Sequence, residues 1–188
     1  MTLFVLLGCQ EGQGKSTLVV EPAKINPSTS STNGSTDQGQ KDPRYKLQRI
    51  HQLADLESRK VKVGANTLSI WLMDDDSKRE EGMMWLTDAD VKDTEGMLFV
   101  FGDAQERGFW MQNCPLGLDI CYMDPKGKVI SIVEGKPYRE DSLPSKGKAQ
   151  YVLELKVGRA KKFGIHPGTV LDLPKNLKPK DSNVGAGG

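Results

Sequence analysis

Between Val61 and Leu173 the chain is a series of short apolar runs cut by glycine, proline and asparagine. Val61–Val63 and Leu68–Leu72 flank Gly64-Ala65-Asn66, the pattern of a β-hairpin with a tight turn. Met97–Phe101, Arg107–Asn113, Leu118–Met123, Lys128–Val133 and Gln150–Val157 also predict strands, and Thr169–Leu173 predicts a last one. Asp124-Pro125-Lys126-Gly127 supplies a turn between two of them. Two helical turns break the series. Ser77–Trp85 starts with Ser77 as a candidate N-cap and Glu80 three residues on, and Arg159–Phe163 forms the second. Ahead of all this, Leu47, Ile50, Leu53 and Leu56 recur every three residues, which suits a short helix or a packed lead-in. Many short strands with regular turns predict a mainly β domain. It would be a small closed or partly closed barrel-like sheet carrying two short helices, which could also be classed α+β.

The flanks read differently. Thr2–Gly8 is almost wholly apolar but far shorter than the roughly 20 residues a membrane span needs. Such a run ending in small residues fits a secretory signal, and Gly8-Cys9 resembles a bacterial lipobox, in which Cys9 is the acylated residue. From about Glu21 to Pro43 the chain is Ser, Thr, Asn, Gly, Gln, Asp and Pro, too polar to offset the entropy of ordering. The expected layout is therefore a signal segment over 1–8, a lipid-anchored tether over 9–44, one domain over 45–177 and a polar tail over 178–188. The expected location is the bacterial cell envelope, on its periplasmic or extracellular side.

Composition narrows the partners. A net charge of +1 with interspersed Lys, Asp and Glu gives no basis for nucleic-acid binding. Hydrophobic residues at 37% and a mean hydropathy of -0.49 agree with a chain only part of which is folded. Gly14-Lys15-Ser16 ends like a phosphate-binding loop, but the glycine needed five positions before Gly14 falls at Cys9. No amphipathic helix follows it, so a nucleotide site is rejected.

The candidate chemistry lies between Gly96 and Asp124, where polar side chains interrupt an apolar pattern. On a strand over Arg107–Asn113, Phe109, Met111 and Asn113 would share one face, opposite Trp110 and Gln112. Asn113 and Asp119 would then bracket the connection Cys114–Gly117, with Arg79 as a partner for a buried Asp119. Two accounts stay open for that pair: acceptors that hold loop backbone, or part of a ligand-contacting cluster with Arg79 and Trp110. The Met and aromatic content suits core filling, with a groove for an apolar ligand or partner segment as the alternative. Only His51 and His166 occur, both in lead-in or turn positions, and Cys114 and Cys121 lack metal-ligand spacing. Neither a metal nor a cofactor is expected. The two cysteines read as buried thiols, or as a disulfide across the Pro/Gly turn in an exported protein.

EGMMW (Glu81–Trp85), EGMLFVF (Glu95–Phe101), GFWMQN (Gly108–Asn113), LDICYMD (Leu118–Asp124), YVLEL (Tyr151–Leu155) and GIHPG (Gly164–Gly168) occur in one order. Together they closely resemble the domain-of-unknown-function 192 family over about Val61–Leu173. That resemblance implies a mainly β fold, frequently behind a secretion or lipoprotein signal, and brings no catalytic residues with it. This chain departs from the family pattern at Lys78, Gln112, Cys114, the Ser142–Ser145 loop and Thr169. Two functions remain open: a non-catalytic binding or accessory module of the envelope, acting on an envelope protein or a small ligand, and a small hydrolase-like enzyme built on Arg79, Asn113 and Asp119.

Overall fold

The computed structural model describes residues 48–180; Cys9, the signal segment, the tether and residues 181–188 lie outside the described residues. Within them the chain forms β1 (Ser58–Val63), β2 (Asn66–Met73), α1 (Asp76–Glu81), β3 (Glu95–Gln105), β4 (Gly108–Phe109), β5 (Leu118–Met123), β6 (Val129–Gly135), β7 (Leu143–Pro144), β8 (Ala149–Lys156) and α2 (Arg159–Lys162). The domain is mainly β. Six strands make one sheet in the order β1-β2-β3-β8-β5-β6, and β4 pairs with β7 in a separate two-stranded ribbon.

Neighbours in the large sheet are antiparallel except β2 and β3, which run parallel and are joined by the segment carrying α1. A parallel pair cannot be closed by a tight turn, which is why the chain needs a crossover there. β1 and β6 are the sheet edges and do not pair with each other. Single bridges instead join Lys62 to Asp172 and Lys128 to Val170, so the C-terminal segment touches both edges and the sheet is partly closed. The strand expected over Thr169–Leu173 reduces to these bridges.

Side chains alternate along β5, as the strand predicted over Leu118–Met123 requires. Leu118, Ile120 and Tyr122 enter one apolar cluster with Met97, Phe99, Met111 and Val152, while Cys121 and Met123 enter the other with Leu98, Val100, Leu153 and Phe163. One sheet face is thus packed under α2 and the C-terminal segment, and the other under the loops around α1 and residues 111–116. Burial on both faces makes β5 and β8 central strands, where a polar side chain has no route to water.

Two expectations need correction, and one left open is decided. Asp75, not Ser77, caps α1, its side chain accepting the Lys78 N–H at 2.9 Å. The lead-in is a packed segment of turns rather than a short helix, with Leu56 buried and Ile50 exposed. Arg107–Asn113 is a strand only at Gly108–Phe109. Beyond it the backbone turns, with Met111 N–H bonded to the Arg139 carbonyl and Asn113 at φ 54°, so the strand alternation stops at Phe109. Asparagine tolerates that left-handed conformation, which an extended strand excludes. Near the end of the described residues, Lys180 donates its N–H to the Asp74 carbonyl at 2.6 Å and sets Nζ 2.7 Å from the buried Asp74 carboxylate.

Candidate functional site

The side chains singled out by sequence divide between the two faces of the sheet. Asp119 faces α2. Its Oδ2 accepts the Ala160 N–H at 2.8 Å, and it is 7% exposed. Gly158 opens α2 with no side chain of its own to cap it, so Asp119 supplies the missing acceptor from a neighbouring strand. Arg79 is engaged elsewhere: Nη2 lies 2.5 Å from Asp76, Nη1 donates to the Val100 carbonyl at 2.9 Å, and the guanidinium sits 5.1 Å from the Phe101 ring centre. Among the described contacts, no Arg79–Asp119 pair forms. Asn113 contributes its carbonyl to the Trp85 N–H at 2.8 Å, a backbone role.

An Asp119→Ala substitution should therefore destabilise the fold by about 1–3 kcal/mol, the cost of orphaning a buried N–H. Asp119→Asn, which keeps an acceptor, should recover most of the loss in a urea titration. Unchanged stability in Asp119→Ala would reassign the residue to ligand contact.

Arg79 and Trp110 do share a feature. Together with Met83, Met84, Phe99, Phe109, Gln112, Cys114 and Leu118, they line a hollow of about 30 Å³ on the face opposite α2. Trp110 stands at its edge, 48% exposed. The carboxyl of Glu154, on β8, also lines it. Glu154 shares the parity of Val152, so it points into the packed Met/aromatic face, and it is 4% exposed. Its Oε2 is buried and has no hydrogen-bond partner among the described residues. Burial without a donor penalises the charged form and pushes the acid up from 4.5 to about 8. Glu154 is accordingly neutral over most of the physiological range.

The wall above Glu154 is held by residues from the lead-in. Gly82 closes α1 at φ 45°, and a Cβ there would come within 3.1 Å of Phe99 and 3.7 Å of Glu154 Oε2. Only glycine combines that backbone with that approach. The Gly82–Met84 loop is clamped by Arg49, whose Nη1 donates to the carbonyls of Gly82 at 3.0 Å and Met84 at 2.5 Å. Arg49 Nη2 lies 3.3 Å from Glu81 Oε2, near enough for an ion pair though off hydrogen-bonding direction. Glu81 in turn accepts the N–H groups of Ile50 at 2.6 Å and His51 at 2.9 Å.

The other reactive groups on this face are quenched. Burial pushes the Cys114 thiol up to about 12, and Glu154 beside it adds to the shift. Burial raises Tyr122 as well, and its hydroxyl donates to the Leu143 carbonyl. On the other face Cys121 is raised by burial and by Asp119. Cys114 and Cys121 are both free, buried thiols, and a protonated buried thiol is a poor nucleophile. Among the described residues no group of three His, Cys, Asp or Glu could hold a metal ion, and no helix is long and apolar enough to cross a membrane.

Sequence reasoning passed over Glu154, Glu81 and Arg49. One signal for Glu154 was present, since it is the lone acid in the apolar run Val152–Leu155. Arg49 carries no local signal. Beyond a bond from its Nε to the His51 carbonyl, the partners of its guanidinium, Gly82, Met84 and Glu81, lie more than 30 positions away.

The model of the domain-of-unknown-function 192 family, described as "Uncharacterized ACR", matches residues 59–173. A solved structure from Sinorhizobium meliloti, named as a candidate transcription regulator, is similar at 29% identity and a TM-score of 0.58, over 62% of this chain and 94% of that one. A protein of unknown function from Novosphingobium aromaticivorans is similar at 28% identity and a TM-score of 0.57, over 66% of this chain and 91% of that one. No curated protein matches the chain.

Proposed function

We propose a function from the premise that this chain belongs to the domain-of-unknown-function 192 family: it is a non-catalytic binding module of the bacterial cell envelope, held to a membrane through an acylated Cys9, whose small ligand seats in the hollow over Glu154. One observation carries the binding half. A buried carboxyl oxygen with no hydrogen-bond partner among the described residues lines a hollow edged by a half-exposed tryptophan. A buried polar atom left unpaired costs about 1–3 kcal/mol, and a ligand donor would recover that cost. Convergent polar groups on an apolar pocket are the general form of a small-ligand site.

Catalysis has less to work with. Asp119 and Arg79 are spent on α2 and on Asp76, on opposite faces of the sheet, so they do not converge as an acid–base pair would have to. The raised thiols argue against covalent chemistry. The anchoring half is supported by the apolar run Thr2–Gly8, by Cys9 and by the polar stretch after it.

Both halves can be read from one preparation. The full chain is expressed in bacteria fed labelled palmitate, recovered from the envelope fraction and examined by native mass spectrometry. The expected result is palmitate on the wild type and none on Cys9→Ala, with a small-molecule adduct on wild type that Trp110→Ala diminishes. Label on both proteins would sink the anchor. An adduct undiminished in Trp110→Ala, or none on either protein, would sink the site.

A further inference from the structure

Resting on that binding reading, we propose that the hollow recognises a primary ammonium group, which pairs with Glu154 and packs against the rings of Phe109 and Trp110. The argument starts from what Glu154 lacks. Its Oε2 needs a donor, and a cationic donor satisfies a carboxylate more strongly than a neutral one. The walls favour the same choice. Phe99 and Phe109 meet edge to face at 4.9 Å, and Phe109 meets Tyr122 likewise at 5.8 Å, so aromatic rings converge beside the acid. Ring faces attract cations, more so where water is excluded.

The charges facing the acid agree. α1 presents Arg79, Glu80 and Glu81; Arg79 is held by Asp76 and the Val100 carbonyl, and Glu81 by Arg49, which leaves Glu80 exposed and the lining acidic on balance. Cys114 and Tyr122 face Glu154 as neutral groups, both raised by burial. Size selects within the cations. A space of about 30 Å³ admits a group little larger than a water molecule. The head of a primary amine fits; a quaternary ammonium does not.

Proton balance gives this inference its signature. Glu154 is neutral at pH 7 before binding, because burial holds it near 8. Pairing with an ammonium takes the carboxylate form, so the carboxyl proton leaves to the buffer and about one proton is released per site. Affinity should rise by about tenfold per pH unit up to pH 8, then level off until the amine itself deprotonates, at roughly 10.

The test is calorimetric titration of the full chain with n-propylammonium chloride at pH 7, in two buffers of different ionisation enthalpy. Expected are saturable binding with the stated proton release, and none in Glu154→Gln, an isosteric neutral variant. Trp110→Ala, which alters a half-exposed rim residue and leaves the core intact, should weaken binding about tenfold. Tetramethylammonium should not bind. Nα-acetyl-lysine methylamide should bind at least as well as propylammonium if the natural source is a lysine side chain, and more weakly if it is a free small amine. Equal binding by Glu154→Gln, binding of tetramethylammonium, or binding without proton release would overturn the proposal. Acetamide binding where propylammonium does not would overturn the ammonium and leave the hollow as a binding site. If neither binds, both the ammonium and the hollow fail.

Discussion

Replacing Arg49 with alanine is expected to remove about 3–5 kcal/mol of stability, the usual consequence of deleting one member of a buried ion pair. Its side chain is 3% exposed and that of Glu81 is 8% exposed, so neither charge can turn to water for compensation. The loss is more than Coulombic. Arg49 Nη1 also satisfies the carbonyls of Gly82 and Met84, and without it two acceptors beside the hollow lose their donor. Burial already draws the guanidinium pKa down, with Glu81 opposing the shift, which shows how much the pair relies on mutual compensation. Urea unfolding of the single variant measures the loss. Substituting both partners, Arg49→Met with Glu81→Leu, should return a good part of it, because no uncompensated charge is left behind. A single-variant loss below about 1 kcal/mol would place the pair among surface bridges of little energetic consequence.

Glu154→Gln should do the opposite, and its effect should depend on pH. The folded-state value of Glu154 is raised from 4.5 to about 8, so the folded protein holds a proton that the unfolded chain releases between those limits. The stability that accompanies the proton is complete below pH 4.5 and is lost as pH rises through about 8. At 1.36 kcal/mol per unit, the whole window corresponds to on the order of 4–5 kcal/mol. A glutamine at this position does not titrate. The variant and the wild type should thus unfold alike near pH 4.5, and the variant should lead at pH 8.5 by roughly 15 °C in Tm. Parallel curves at all pH values would refute the assignment of a neutral buried acid.

Much of the architecture was legible because strand alternation is local. Leu118, Ile120 and Tyr122 on one side, and Cys121 and Met123 on the other, follow from a repeat of two within six residues. The Arg107–Asn113 strand was misread for the reciprocal reason. The apolar spacing of Phe109 and Met111 imitates a strand, while Met111 is in fact buried by a turn bonded to Arg139, some 28 residues on. Of the proposed site, Arg79 and Trp110 do line one hollow, but alternation alone cannot say that Asp119 lies across the sheet from them, since that depends on what covers each face.

The sequence by itself determined the family, the mainly β class, most of the strands and the expectation of an anchored Cys9, because these rest on local periodicity and ordered motifs. Only the tertiary structure decided where the unsatisfied chemistry lies. Glu154 reads in the chain as the lone acid in the apolar run Val152–Leu155, a pattern that does not say which way its carboxyl faces. It becomes a buried, neutral carboxyl with Oε2 unpaired among the described residues because β8 lies between β3 and β5 with both faces covered, and because Arg49 holds the Gly82 loop beside it. Strand order and long-range clamps set local dielectric, and dielectric sets which form of an acid survives.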